Sequence, residues 1–198
     1  MALLPEELIF SALLVSASEQ FVSTMAGLMP ASAYFPVCTA RSATEARREL
    51  QERSYDLILV NTPLPDELGV RFAMDAGREH SSAILLLVKG ELYDETNTRA
   101  MECGVFTLRK PTTAVLMTQS LDWLRAARQL RRGAERKAVS LEDKMAEIRL
   151  VNHAKWALIE TCKMTEADAH RYIEKQAMDR SVTRREIAEG ILRTYKNS

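Results

Sequence analysis

Between residues 10 and 112 the chain keeps switching its apolar period. Short, nearly continuous apolar runs at 12–17, 34–40, 55–60, 83–88 and 105–109 read as strands. Between them lie segments at 18–29, 42–53, about 67–79 and about 92–102, with another from 113, that read as helices. Two of these segments open on start signals: Ser18 as a cap, and Ser42 with Glu45 three residues on, a capping-box pattern. Apolar strands alternating with helices imply βαβ units, because such strands are hidden only in a parallel sheet covered on both faces. The expectation for residues 8–115 is an α/β domain, a doubly wound five-stranded parallel sheet.

Beyond Thr113 the strand signal ends. Met117, Leu121, Leu124, Ala127, Leu130, Ala134, Ala138, Leu141, Met145 and Ile148 follow one another at spacings of three or four. That stripe predicts a long helix over 116–148 whose seam suits either its own domain or a homodimeric coiled coil. Gly133 lies within it and costs about 1 kcal/mol relative to Ala, so a break or hinge there is one expectation. Arg125, Arg128, Arg131, Arg132, Arg136 and Lys137 crowd the same stretch and read as a solvated face, with phosphate contact as the minority reading. The remainder, 140–198, reads as three helices. The long helix continues to about 162. Thr165 with Asp168 opens a second, with Ala169, Tyr172, Ile173 and Ala177 on its apolar face, and Thr183 with Glu186 opens a third carrying Ile187, Ile191 and Tyr195. Segments this short are marginal alone, so the three are expected to pack as a bundle.

Composition changes this picture little. The 198 residues are 46% hydrophobic and 27% charged, with a formal net charge of zero. No overall field marks nucleic acid as a partner or repels it. The N-terminal apolar run follows Glu6 and Glu7 without a basic region, unlike a signal peptide, and no stretch reaches membrane-spanning length. Three well-separated cysteines, Cys38, Cys103 and Cys162, read as reduced, buried thiols of a cytoplasmic protein. His80, His153 and His170 form no ligand-spaced set with them, and there is no phosphate loop or Ser/His/Asp pattern. Neither a metal, a cofactor nor an enzymatic reaction is expected.

Chemistry concentrates where the strands end. "DLILVNTPLPDELG" followed by a strand, a helix and a strand ending in "RKP" resembles the receiver domain of two-component response regulators, a flavodoxin-like fold. Receivers carry an acidic pair after strand one, a phosphate-accepting Asp after strand three, a hydroxyl after strand four and a Lys after strand five. Here those places hold Ser16 and Ala17, Asn61, Val88 and Lys110, so only the lysine remains. An amide forms no acyl phosphate, and Ser and Ala bring no negative charge to Mg²⁺. The resemblance therefore implies a pseudo-receiver with a degenerate phosphorylation site. A response regulator phosphorylated elsewhere, at Asp56 or Asp66, is the alternative.

The C-terminal part is similar to the ANTAR domain, the RNA-binding module of bacterial transcription antiterminators. The resemblance rests on Ala154 and Lys155 in "HAKWALIE", on Ala169, Ala177 and Met178 in "MTEADAHRYIEKQAM", and on Ile187 and Ala188 in "REIAEGIL". Trp156 stands where the family has a small residue, and Glu174 where it often has Arg. The resemblance implies binding of tandem stem-loops in RNA by a homodimer joined through 117–148, switched by a sensor or other signalling protein, a small molecule or expression level. The RNA-contacting candidates are Lys155, Lys175, Ala177, Met178, Arg180, Arg184 and Arg185; Trp156 and Tyr172 are candidate stacking rings, though Tyr172 is expected to pack inside. Residues 141–198 hold eleven Lys/Arg against ten Asp/Glu, so their charge alone reads equally as a solvated face. A protein–protein adaptor that touches no RNA is the second alternative.

Overall fold

The computed structural model describes residues 8–195, and the N-terminal segment read above begins outside them. It falls into two compact units, one ending at Arg132 and one starting at Gly133.

The first unit is built from β1 (Phe10–Val15), α1 (Glu19–Leu28), β2 (Tyr34–Ala40), α2 (Ala43–Glu52), β3 (Leu57–Asn61), α3 (Val70–Glu79), β4 (Ala83–Lys89), α4 (Tyr93–Glu102), β5 (Val105–Lys110) and the start of α5 (Ala114–Cys162). The strands form one parallel sheet in the order β2-β1-β3-β4-β5. Side chains alternate across it, as a period of two requires. Leu13, Ile58, Val60, Ile84, Leu86 and Val88 face α2, α3 and α4, against Ala46, Phe72, Ala73 and Ala100. Leu14, Leu57, Leu59, Leu85 and Leu87 face α1 and α5, against Met25, Met117, Leu121 and Leu124.

Helix starts follow the sequence. Ser18 Oγ accepts from Phe21 N and Ser42 Oγ from Glu45 N. The Glu45 carboxylate reaches back to Arg41 N, at 2.7 Å, rather than to the cap's own N–H. Gly77 has a packing reason: a Cβ there would collide with the Cys103 carbonyl, so α3 approaches β5 closely only without a side chain.

Several expectations about the chain from 114 onward are refined or corrected. Met117, Leu121 and Leu124 are buried on the sheet, so for the first part of the stripe the own-domain alternative holds and the coiled coil does not. The expected boundary at residue 115 therefore falls inside an element that the first unit needs. Gly133 breaks nothing; α5 is one helix from Ala114 to Cys162. Four of the arginines are no solvated face either, while Arg136 and Lys137 are exposed as expected. Arg128 and Arg132 pair with Asp56, Arg131 donates to the Ser82 carbonyl at 3.0 Å, and Arg125 lies over the rings of Phe10 and Tyr34. An apolar spacing of three or four marks a helix face suited to being covered without showing by what.

The second unit packs the last part of α5 against α6 (Glu166–Arg180) and α7 (Arg184–Tyr195). Ala154 and Leu158, Ala169, Ile173 and Ala177, and Ile187, Ala188 and Ile191 form its core. Both predicted starts are in place. Thr165 Oγ1 accepts from Asp168 N, and Thr183 and Glu186 close a reciprocal capping box, Glu186 N to Thr183 Oγ1 and Thr183 N to Glu186 Oε2. Between them Ser181 takes a left-handed conformation that ends α6. Among the described residues no helix is long and apolar enough to cross a membrane. Cys103 is buried and Cys38 half-buried, but Cys162, at the last turn of α5, is exposed, contrary to expectation.

Candidate functional site

The carboxyl edge of the sheet brings together Ser16, Asn61 and Lys110, as the sequence predicts. Asn61 is the last residue of β3, and its amide lies between a hydroxyl and an ammonium. Nδ2 donates to Ser16 Oγ at 2.9 Å, and Oδ1 accepts from Lys110 Nζ at 2.9 Å. Lys110 Nζ also donates to the Thr62 carbonyl, and Ser16 Oγ accepts from Ser18 N at 3.1 Å. Burial, with Lys89 nearby, lowers the Lys110 pKa below the usual lysine value. Val88 is fully buried in the core and Ala17 is exposed, so neither belongs to this network. The polarity of an amide suits its position, since it offers one donor and one acceptor to partners of opposite kind.

The alternative acceptors are occupied. Asp56 precedes β3 at the opposite edge of the sheet and is 8% exposed. Its carboxylate accepts from Ser11 N and Oγ, both at 3.0 Å, from Arg128 Nε at 3.1 Å, and from Arg132, whose Nη2 lies at 2.7 Å. Burial alone would raise its pKa; the Ser11 N–H and Arg132 outweigh that and hold it below the ordinary carboxylate value. Asp66 caps α2 from outside, accepting from Ala43 N at 3.0 Å and Thr44 N at 2.9 Å, and these N–H groups lower its pKa to about 2. The Asp56 pair with α5 was missed in the sequence. Its signal was there: one carboxylate at the mouth of an apolar run, and two arginines four residues apart on a helix.

The candidate RNA residues separate by exposure. Lys175, Met178, Arg180 and Arg185 lie on the surface of α6 and α7, Met178 at 80% exposure. Among the described residues neither Lys175 nor Arg180 makes an ion pair, whereas Arg185 reaches Glu189 at 3.3 Å. Arg184 lies 3.7 Å from Glu147 and 3.9 Å from Glu174, linking α7 to α5 and α6. Lys155 is mostly covered and bonded to Glu166 at 3.1 Å, which ties the start of α6 to α5. Tyr172, expected inside, is 39% exposed, and Trp156 is exposed on α5.

Comparison with known proteins accounts for this second unit. Residues 139–192 match the ANTAR domain family. The chain carries an ANTAR domain. It is also 25% identical over 171 residues to PdtaR, a transcriptional regulatory protein of Mycobacterium tuberculosis, across 86% of this chain and 83% of the relative. Among solved structures, a signal receiver domain of an HD domain-containing protein from Pseudomonas fluorescens Pf-5 superposes with a TM-score of 0.54 at 23% identity, over 64% of this chain and 91% of that one. NtrX from Brucella abortus superposes with a TM-score of 0.56 at 17% identity, over 64% of this chain but 29% of its own. These likenesses show a receiver fold. The residues that match the ANTAR domain follow that receiver fold in the chain.

The alanines that carried the ANTAR resemblance are packing positions. Ala154, Ala169 and Ala188 are fully buried and Ala177 is 8% exposed. Their small size lets three helices meet closely. Ala177 is therefore corrected from an RNA contact to a core residue, and its neighbour Met178 carries the exposed surface of that pair.

Proposed function

We propose that this ANTAR-type regulator binds paired stem-loops in nascent RNA as a dimer and prevents a terminator from forming. Control of its receiver-like unit is independent of phosphorylation at Asn61. The observation that carries the reading is the exposure of Lys175, Met178, Arg180 and Arg185 on α6 and α7 of the ANTAR domain. Cations beside an apolar side chain suit an RNA loop, whose phosphates and unstacked bases are both accessible. The net charge of this region is near zero, but several of its acids are engaged in a helix cap and in ion pairs, so a local patch does not need a basic domain.

Two features support the rest. Leu141, Met145 and Ile148 are exposed along α5 at spacings of four and three, the apolar seam that a second copy would cover. Two joined ANTAR domains would bind the second stem-loop at a raised effective concentration. At the receiver edge, Asn61 bridges Ser16 and Lys110, so the lysine that would meet a phosphoryl group already has a neutral partner.

The test is affinity for a tandem-hairpin RNA as a function of salt. Steep weakening with salt is expected, with the slope of log K on log salt falling by about 1 on replacing Lys175 or Arg185 by Gln. No affinity at physiological salt, or affinity indifferent to salt, favours a protein adaptor and sinks the RNA reading. Sedimentation of wild type against Leu141→Asp and Ile148→Asp tests the dimer, and a wild-type monomer would remove it.

A further inference from the structure

Within the ANTAR unit a cleft of about 280 Å³ opens between α6 and α7. Its size is at or just below the low end of small-molecule sites, roughly 300–1,000 Å³. Its floor is apolar, made by the nearly buried Ile187 and Ile191. Two aromatic rings border it, Tyr172 from α6 and Tyr195 from α7. Its rim holds Arg180 and Gln176, which donate, and Glu186, which accepts.

Gly190 lines this cleft. It stands inside α7, where only proline is a poorer helix former. No packing demands it: a Cβ at 190 would meet nothing within 4 Å. This differs from Gly77, where a Cβ would strike backbone. Gly27 and Gly133 are equally unopposed within their helices; what sets Gly190 apart is its place at the wall of an aromatic-lined cleft, where the free space over it leaves room for a ligand.

We propose that this cleft receives one unstacked base of the RNA loop, with Tyr172 and Tyr195 as its stacking surfaces and Arg180, Gln176 and Glu186 facing its polar edge. The assignment deepens the RNA reading and rests on it. RNA loops are read by splaying out bases that stack on aromatic or guanidinium planes and hydrogen-bond along their edges. The cleft offers each of those parts at the scale of a single base.

The experiment couples a filled cleft to a missing base. A tandem-hairpin RNA is first selected for binding to the wild-type chain from a pool with randomised loops. Each loop nucleotide is then made abasic in turn. Wild type should lose on the order of 10- to 100-fold in affinity at one loop position, the size of a stacked base. Gly190→Leu, which raises helix propensity and whose folding is checked by circular dichroism, should show that loss already with intact RNA. It should lose nothing further on the abasic RNA and should keep the wild-type salt slope. Tyr172→Ala should behave likewise, and Tyr172→Phe should restore binding. If Gly190→Leu binds as wild type does, or both proteins lose equally at the abasic position, the cleft is not the base site while RNA binding stands. If no RNA is selected at all, the RNA reading falls and the cleft assignment falls with it.

Discussion

Asp56 and Asn61 stand at opposite ends of one strand and show two uses of a polar residue beside a buried sheet. At the amino end, a carboxylate is held against two guanidinium groups and a serine, mostly out of water. At the carboxyl end, where a receiver keeps its nucleophile, an amide links a hydroxyl to an ammonium. The first arrangement keeps a full charge and leaves it no freedom; the second keeps the lysine and replaces the charge it would face. Charge next to a sheet thus carries no chemistry until its partners are counted. The acid at one end of this strand is held in a structural role, and the residue at the other end is neutral.

The contrast can be broken from either end. Replacing Asp56 by Ala leaves two arginines without their buried partner and should cost the first unit about 3–5 kcal/mol, read from urea denaturation. Replacing Asp56, Arg128 and Arg132 together by Leu, Met and Met should recover most of that loss, since a removed ion pair costs less than a half-removed one. At the other end, Lys110→Met strips donors from Asn61 and the Thr62 carbonyl at a half-buried site and should cost about 1 kcal/mol.

Acid sharpens the comparison. The Asp66 pKa, about 2 in the folded chain, lies below the unfolded value near 3.9, so its contribution is fully present above about pH 4. It is lost as pH falls from about 4 towards 2. Asp66→Asn should flatten the dependence of the melting temperature on pH in that window. The Asp56 pKa is also depressed, so it acts with the same sign, and Asp56→Asn should flatten the acid limb too.

The smallest expected effect is a null one. Neither wild type nor Asn61→Asp should gain a phosphoryl group from acetyl phosphate and Mg²⁺, read by intact mass. Restoring the acceptor restores no metal site, because Ser16 and Ala17 supply no carboxylate. A gain on wild type would overturn phosphorylation-independent control. A gain on Asn61→Asp alone would show that the acidic pair is dispensable here.

Most of the sheet was legible in the sequence because buried parallel strands are continuous apolar runs, so β3 and β4 were placed within two residues. Helix starts were legible for a local reason: Ser42, Thr165 and Thr183 bond within four residues of themselves. What failed was long-range. The spacing from Met117 to Ile148 is one pattern, yet its first residues cover the sheet while Leu141 and Met145 remain exposed. Arg128 and Arg132 looked solvated because their partner lies more than seventy residues earlier. Ala177 marked the ANTAR family correctly and its own place wrongly, since a resemblance carries identity without orientation. The cleft at Gly190 was invisible because α6 and α7 form it only by meeting.

The reach from Asp56 to Arg132 also sets an order of events during synthesis. A chain emerging from the ribosome exposes all five strands by residue 110, yet the cations that neutralise Asp56 arrive only with residues 128 and 132. Domains fold as units during translation once their parts are available. A nascent chain or an excised fragment that stops near residue 115 holds a complete sheet, with Asp56 lacking its guanidinium partners and one apolar face lacking Met117, Leu121 and Leu124. The first stable product of translation is therefore expected to be longer than its sheet, ending after Arg132, and the shorter fragment is expected to need chaperones or to aggregate.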